Sequence, residues 1–64
     1  MKVYVDNKEI EVFDGARAAD AVRAYVAGGG EKGGTVLYDA YGNEIAGDSP
    51  MKAGRKIFTR NPKK

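Results

Sequence analysis

Asp14-Gly15-Ala16-Arg17-Ala18-Ala19-Asp20-Ala21-Val22-Arg23-Ala24-Tyr25-Val26-Ala27-Gly28 decides how the rest of this chain is read. Ala18, Val22, Tyr25 and Val26 stand at i, i+4, i+7 and i+8, which is one face of an amphipathic helix. Arg17, Asp20 and Arg23 fall on the wet side, with Asp20 three residues from each arginine, a spacing worth about 0.2–0.5 kcal/mol per ion pair. Six alanines between 16 and 27 favour the helix and let it lie close on a sheet. The pattern predicts a helix from Ala16 to about Ala27, with Asp14 as its N-cap and Gly28 as its stop.

Upstream of the helix the period changes from 3.6 to two. Val3 and Val5 alternate with Lys2, Tyr4 and Asp6, and Ile10 and Val12 alternate with Glu9, Glu11 and Phe13. Between these runs Asp6-Asn7-Lys8 supplies turn chemistry, because Asp and Asn tolerate left-handed backbone, so the chain is expected to open as a β-hairpin. Downstream, five glycines in residues 28–34 predict the most mobile loop. Residues 35–39 then read as a strand, Ala40-Tyr41-Gly42-Asn43 as a turn, and 44–46 as the return strand. Asp48 to Gly54 reads as one helical turn capped by Asp48 or Ser49 with Pro50 at its first position, and 56–60 as a last strand around Ile57 and Phe58. The expected class is α+β, with four or five strands packed on one helix.

Sixty-four residues make one domain, and a globule of that size buries only about 60% of the surface of its unfolded chain. Its core must be thin. Apolar types at 42% and charged types at 31% still describe a folded domain rather than a disordered tail. The absence of Cys and His removes disulfides, thiolate clusters and the usual zinc or iron ligands, and the acidic residues show no calcium-loop spacing, so no metal and no cofactor are expected. No apolar run approaches the ~20 residues that span a bilayer and the first residues lack a signal-peptide core, which gives an expectation of a cytoplasmic protein without membrane contact. Net charge is +2, yet residues 1–50 carry five basic and nine acidic groups while residues 51–64 carry six basic and none acidic. Residues 1–60 are read as the domain and 61–64 as a basic, solubilising tail.

An opening hairpin, one helix, a second hairpin region and a last strand is the order of the β-grasp, or ubiquitin-like, fold. The stretch from Met1 to Ala24 resembles the start of small sulfur-carrier proteins of the thiamine and molybdopterin type, of TGS domains and of plant-type ferredoxin domains. Ser49-Pro50-Met51-Lys52-Ala53-Gly54-Arg55-Lys56-Ile57 is similar to the Pro-Leu-Lys-x-Gly-Asp segment that leads into their last strand. The resemblance implies a mixed sheet in which the last strand lies parallel to the first. It does not carry the families' chemistry across. Sulfur carriers act through a C-terminal Gly-Gly, whereas this chain ends Pro62-Lys63-Lys64, and the cluster-holding cysteines of ferredoxins are missing.

No arrangement for catalysis converges in the sequence. Asp39, Glu44 and Asp48 lie on a turn and its flanks, where carboxylates are ordinary solvated surface, and Ser49 is better explained as a cap. The glycines follow a helix rather than open one, so they make no phosphate cradle. What remains is association. Among the aromatics Tyr4, Phe13, Tyr38, Tyr41 and Phe58, the outward pair Tyr4 and Phe13 on neighbouring strands is expected to form an apolar patch, flanked by Arg55, Lys56, Phe58 and Arg60 of the basic last strand. The leading expectation is a non-catalytic module docking on a larger protein through those residues. A nucleic-acid-binding module of TGS type is the first alternative, and a degenerate sulfur-carrier relative the second.

Overall fold

The computed structural model describes residues 1–31 and 36–63. Its element order is β1 (Lys2–Val5), β2 (Lys8–Glu11), α1 (Ala18–Ala27), β3 (Leu37–Tyr38), β4 (Glu44–Ile45) and β5 (Lys56–Ile57). The class is α+β, as the sequence predicts. Residues 32–35, and with them much of the glycine-rich stretch read as mobile, lie outside the described residues, as does Lys64.

β1 and β2 form the expected hairpin, with Val3 opposite Ile10 and Tyr4 opposite Glu9. Asp6 and Asn7 make its two-residue turn at φ 51 and 67. Left-handed backbone at both positions is what a type I′ turn demands, and its twist matches the twist of the flanking strands. β5 then pairs with β1 in parallel, Tyr4 opposite Lys56 and Val5 opposite Ile57, giving the order β2-β1-β5. A parallel pair needs a long crossover, and α1 lies within it. β3 and β4 form a second, two-stranded antiparallel sheet. Tyr38 and Phe58 bridge the two sheets, each amide donating to the other's carbonyl at 2.9 and 2.8 Å.

The core lies between the three-stranded sheet and the helix. Val3, Val5, Ile10, Val12 and Ile57 point inward from the strands onto Ala18, Ala21 and Val22, with Ala16, Leu37 and Met51 closing the sides. The helical face is rotated from the expected one. Ala21 is buried, Tyr25 is half-buried, and Val26 is 45% exposed. Val26 sits about 80° around the helix from Ala18, so with Ala21 and Val22 set against the sheet it is turned to the flank.

The helix start also departs from expectation. α1 begins at Ala18, not Ala16, and Asp14 caps nothing, because the backbone of 16–17 is extended and pairs with residues 49–51. Met51 N donates to Ala16 O at 2.9 Å, and the first helical amides, Ala18 N and Ala19 N, donate to Ser49 O and Gly47 O at 2.8 Å each. These carbonyls satisfy donors that a helix terminus otherwise leaves open. Asp20 Oδ2 adds a back-cap by accepting from Arg17 N at 3.0 Å. The segment from Asp48 to Gly54 is accordingly not a helical turn, and Ser49 serves through its carbonyl rather than its hydroxyl. Of the two expected Asp20 ion pairs only the one with Arg23 forms, at 3.2 Å, since Arg17 Nη1 is drawn to Asp48 O at 2.7 Å.

Gly28 caps the other end. Gly29 N donates to Val26 O and Gly30 N to Tyr25 O, a Schellman arrangement that requires left-handed backbone at Gly29, whose φ is +98.

Candidate functional site

Strand alternation assigns the uncovered side of the sheet. Val3, Val5, Ile57 and Leu37 face the helix, so Tyr4, Lys56 and Tyr38 face away, as does Phe58, which stands between buried Ile57 and buried Thr59. Tyr4 is flanked by Glu9 and Lys56, and Tyr38 lies across from Phe58 on one side and Glu44 on the other. All three aromatic residues are half-buried. Lys56 is exposed, as is Arg60 two residues beyond Phe58. Lys2 lies 3.6 Å from Glu9, so acid and base alternate along the β1–β2 half of this face.

Four of the six expected contact residues, Tyr4, Lys56, Phe58 and Arg60, are thus grouped on or beside one face. Two are not. Phe13 follows the end of β2, four residues beyond Tyr4's partner Glu9 and about 13 Å along the strand. It is 64% exposed and borders a groove toward α1, so the expected Tyr4–Phe13 patch does not form. Arg55 is half-buried, its Nη1 donates to Pro50 O, and its charge acts on Asp39 rather than on the open face. Tyr38 is the residue the expected set lacked. Its alternation with Leu37 was readable, but its partner Phe58 lies twenty residues away and only the bridge reveals it.

The turn from Asp39 to Asn43 borders this face. Asp39 Oδ1 accepts from Tyr41 N and Asn43 N, both at 2.9 Å, and Asn43 Nδ2 donates to Oδ2 at 3.3 Å. Gly42, at φ +84, lies under the last residues, and a Cβ there would stand 2.8 Å from Asn61 Oδ1. The expected tail therefore packs back on this turn, with Lys63 N donating to Asn61 Oδ1 at 2.9 Å.

Three surface groups have displaced pKa values. The Asn43 amide holds the Asp39 carboxyl below its usual range, aided by the Tyr41 amide and by Arg55. The Met1 ammonium, 2.8 Å from Glu11 Oε2 and 2.7 Å from Val12 O, lowers the Glu11 carboxyl and is itself raised by that hydrogen bond. Depressed carboxyls contribute stability above their unfolded pKa and lose it as pH falls through the folded value. A raised amine contributes below its unfolded value and loses it as pH rises through the folded one. The urea midpoint of this chain is therefore expected to be flat between about pH 5 and 8 and to fall on both sides, and N-terminal acetylation is expected to remove the alkaline decline. A midpoint still rising above pH 8 would contradict this.

A second concavity of about 840 Å³ lies between α1 and the β3–β4 sheet, walled by Val22, Val26, Val36, Leu37 and Ile45, with Arg23 the charged residue in its lining. Among the described residues its lining brings no nucleophile or acid–base pair together. Among the described residues no group of three or more His, Cys, Asp or Glu side chains is placed to hold a metal ion, and no helix is long and apolar enough to cross a membrane. Comparison with protein-family models, curated proteins and solved structures finds no match to this chain.

Proposed function

We propose that this chain is a β-grasp module that acts as a non-catalytic docking domain, presenting the helix-free face of its sheet to a larger protein. The fold reading is supported by the parallel β1–β5 pair, by the helix within its crossover, and by the Tyr38–Phe58 bridge that sets the β3–β4 sheet beside β5. The docking reading rests on one observation, the register that sets Tyr4 beside Lys56 and Tyr38 beside Phe58 on the face α1 leaves open. Half-shielded aromatics lose little side-chain entropy on contact, and the cations at their margin give orientation.

Nucleic acid is the second reading, since aromatic rings beside Lys56 and Arg60 suit base stacking with phosphate contact. Glu9 and Glu44 flank the same rows and repel phosphate, which favours a protein. A photo-crosslinking residue at position 56 is expected to trap a specific protein in cells, with no such product from position 48, which is exposed beside the start of α1. Products that are nuclease-sensitive and vanish between low and moderate salt would replace the protein reading with the nucleic-acid one. Equal yields from both positions would defeat both.

A further inference from the structure

β2 is an edge strand, and its register tells which of its backbone groups face outward. Met1 N donates to Val12 O at 2.7 Å and Val12 N to Met1 O at 2.9 Å, so residues 1 and 12 form a mutually bonded pair. Bonded and non-bonded pairs alternate along an antiparallel ladder, which makes Val3–Ile10 and Val5–Lys8 bonded and leaves Lys2–Glu11 and Tyr4–Glu9 non-bonded. Tyr4 N accordingly points the other way, to Arg55 O at 2.9 Å. The amides and carbonyls of Glu9 and Glu11 therefore point off the free edge, and among the described residues nothing bonds to them. Beside this edge a groove of about 570 Å³ runs between the end of β2 and α1, lined by Val12, Phe13, Ala24 and Ala27, with Asp20 and Arg23 from the helix.

A second copy of the chain is a poor occupant. Keeping both helices on the same side and using the outward groups of both copies pairs Glu9 or Glu11 with Glu9 or Glu11 in each two-fold register centred on Glu9, Ile10 or Glu11. Like charges directly opposite destabilise a strand pair. The same two carboxylates favour an added strand that carries cations at alternate positions. Lys2 and the Met1 ammonium lie 3.6 Å from Glu9 Oε2 and 2.8 Å from Glu11 Oε2, yet both glutamate side chains remain more than half exposed. We propose that the β2 edge is a docking site for an extended basic segment of another protein. That segment adds a strand through ladder bonds to Glu9 and Glu11, sets Lys or Arg against their carboxylates on the outer face, and turns the intervening apolar side chains toward the Val12–Phe13–Ala24–Ala27 groove. The site meets the margin of the Tyr4–Phe58 face at Glu9, but its backbone edge and groove do not depend on the docking reading of that face.

The test is an amide-resolved titration of the 64-residue chain with the blocked peptide acetyl-Ser-Lys-Val-Arg-Val-Lys-Val-Ser-amide. Shifts are expected at residues 8–13 and at Ala24 and Ala27, with slowed hydrogen exchange of the Glu9 and Glu11 amides. The double variant Glu9→Lys/Glu11→Lys is expected to weaken binding about tenfold or more, since two attractions become repulsions. Glu11→Pro deletes an outward N–H while sparing the β1–β2 ladder, and is expected to weaken binding with the hairpin retained. Shifts confined to the Tyr4–Lys56–Phe58 face, equal binding by a peptide with Glu in place of Lys and Arg, or undiminished binding by both variants would each overturn the proposal. So would a dimer of the free chain whose interface maps to β2.

Discussion

Ile57→Ala is expected to cost about 2–5 kcal/mol, the range for truncating a large aliphatic side chain in a packed core. Ile57 is fully buried, lies opposite Val5 in the parallel pair, and belongs to the strand that brings the end of the chain to its beginning. A single core in a chain below about 70–80 residues seldom supplies more than ~3–5 kcal/mol. The loss is thus of the same size as the whole stability, and the variant is expected to be largely unfolded at 25 °C, with collapsed amide chemical-shift dispersion. Ile57→Val, which removes one methylene, is expected to cost about 0.5–1.5 kcal/mol and to stay folded. A melting shift for Ile57→Ala below about 4 °C, the equivalent of one kcal/mol at this size, would mean that the β1–β5 packing is not central to stability.

Asp6→Ala is the second large effect. Asp6 sits in the hairpin turn at φ 51, yet its carboxylate reaches the far end of the chain. Thr59 N donates to Oδ1 at 2.9 Å and Thr59 Oγ1 to Oδ2 at 2.6 Å, while Asp6 N donates to Ile57 O at 3.0 Å. Thr59 is 2% exposed, so removing both acceptors carries a desolvation cost of about 1–3 kcal/mol. Alanine in left-handed backbone adds about 1–2 kcal/mol. A combined loss of about 2–5 kcal/mol is expected as a lowered urea midpoint. Asp6→Asn, which tolerates the turn and keeps one acceptor, should fall between wild type and Asp6→Ala. If Asp6→Asn melted with the wild type while Asp6→Ala did not, the effect would belong to the turn rather than to the Thr59 contact.

The Asp6 case shows where reading the sequence stops. Asp6-Asn7 was legible as a turn because both residues tolerate left-handed backbone, a property carried by the residues themselves. Thr59, fifty-three positions away, has no local mark that announces an aspartate partner. The candidate face divides in the same way. Alternation turned Tyr4 outward, and Lys56 is basic on any reading, but only the parallel register placed them side by side. Phe13 was read as a continuation of β2's alternation, and the strand ends two residues before it.

The sequence by itself determined the α+β class, the opening hairpin and its turn, a single helix ending at Gly28, and the turn around Gly42. Each follows from a period of 2 or 3.6 or from a residue's own backbone preference, and these act over fewer than about ten residues. Tertiary structure alone decided that α1 starts at Ala18, that Ala21 rather than Val26 faces the sheet, and that Tyr38 meets Phe58. It also decided that Glu9 and Glu11 turn their backbones to a free edge. Those outcomes depend on which distant carbonyl satisfies which buried amide, and that is settled only when all the strands and the helix compete for partners at once.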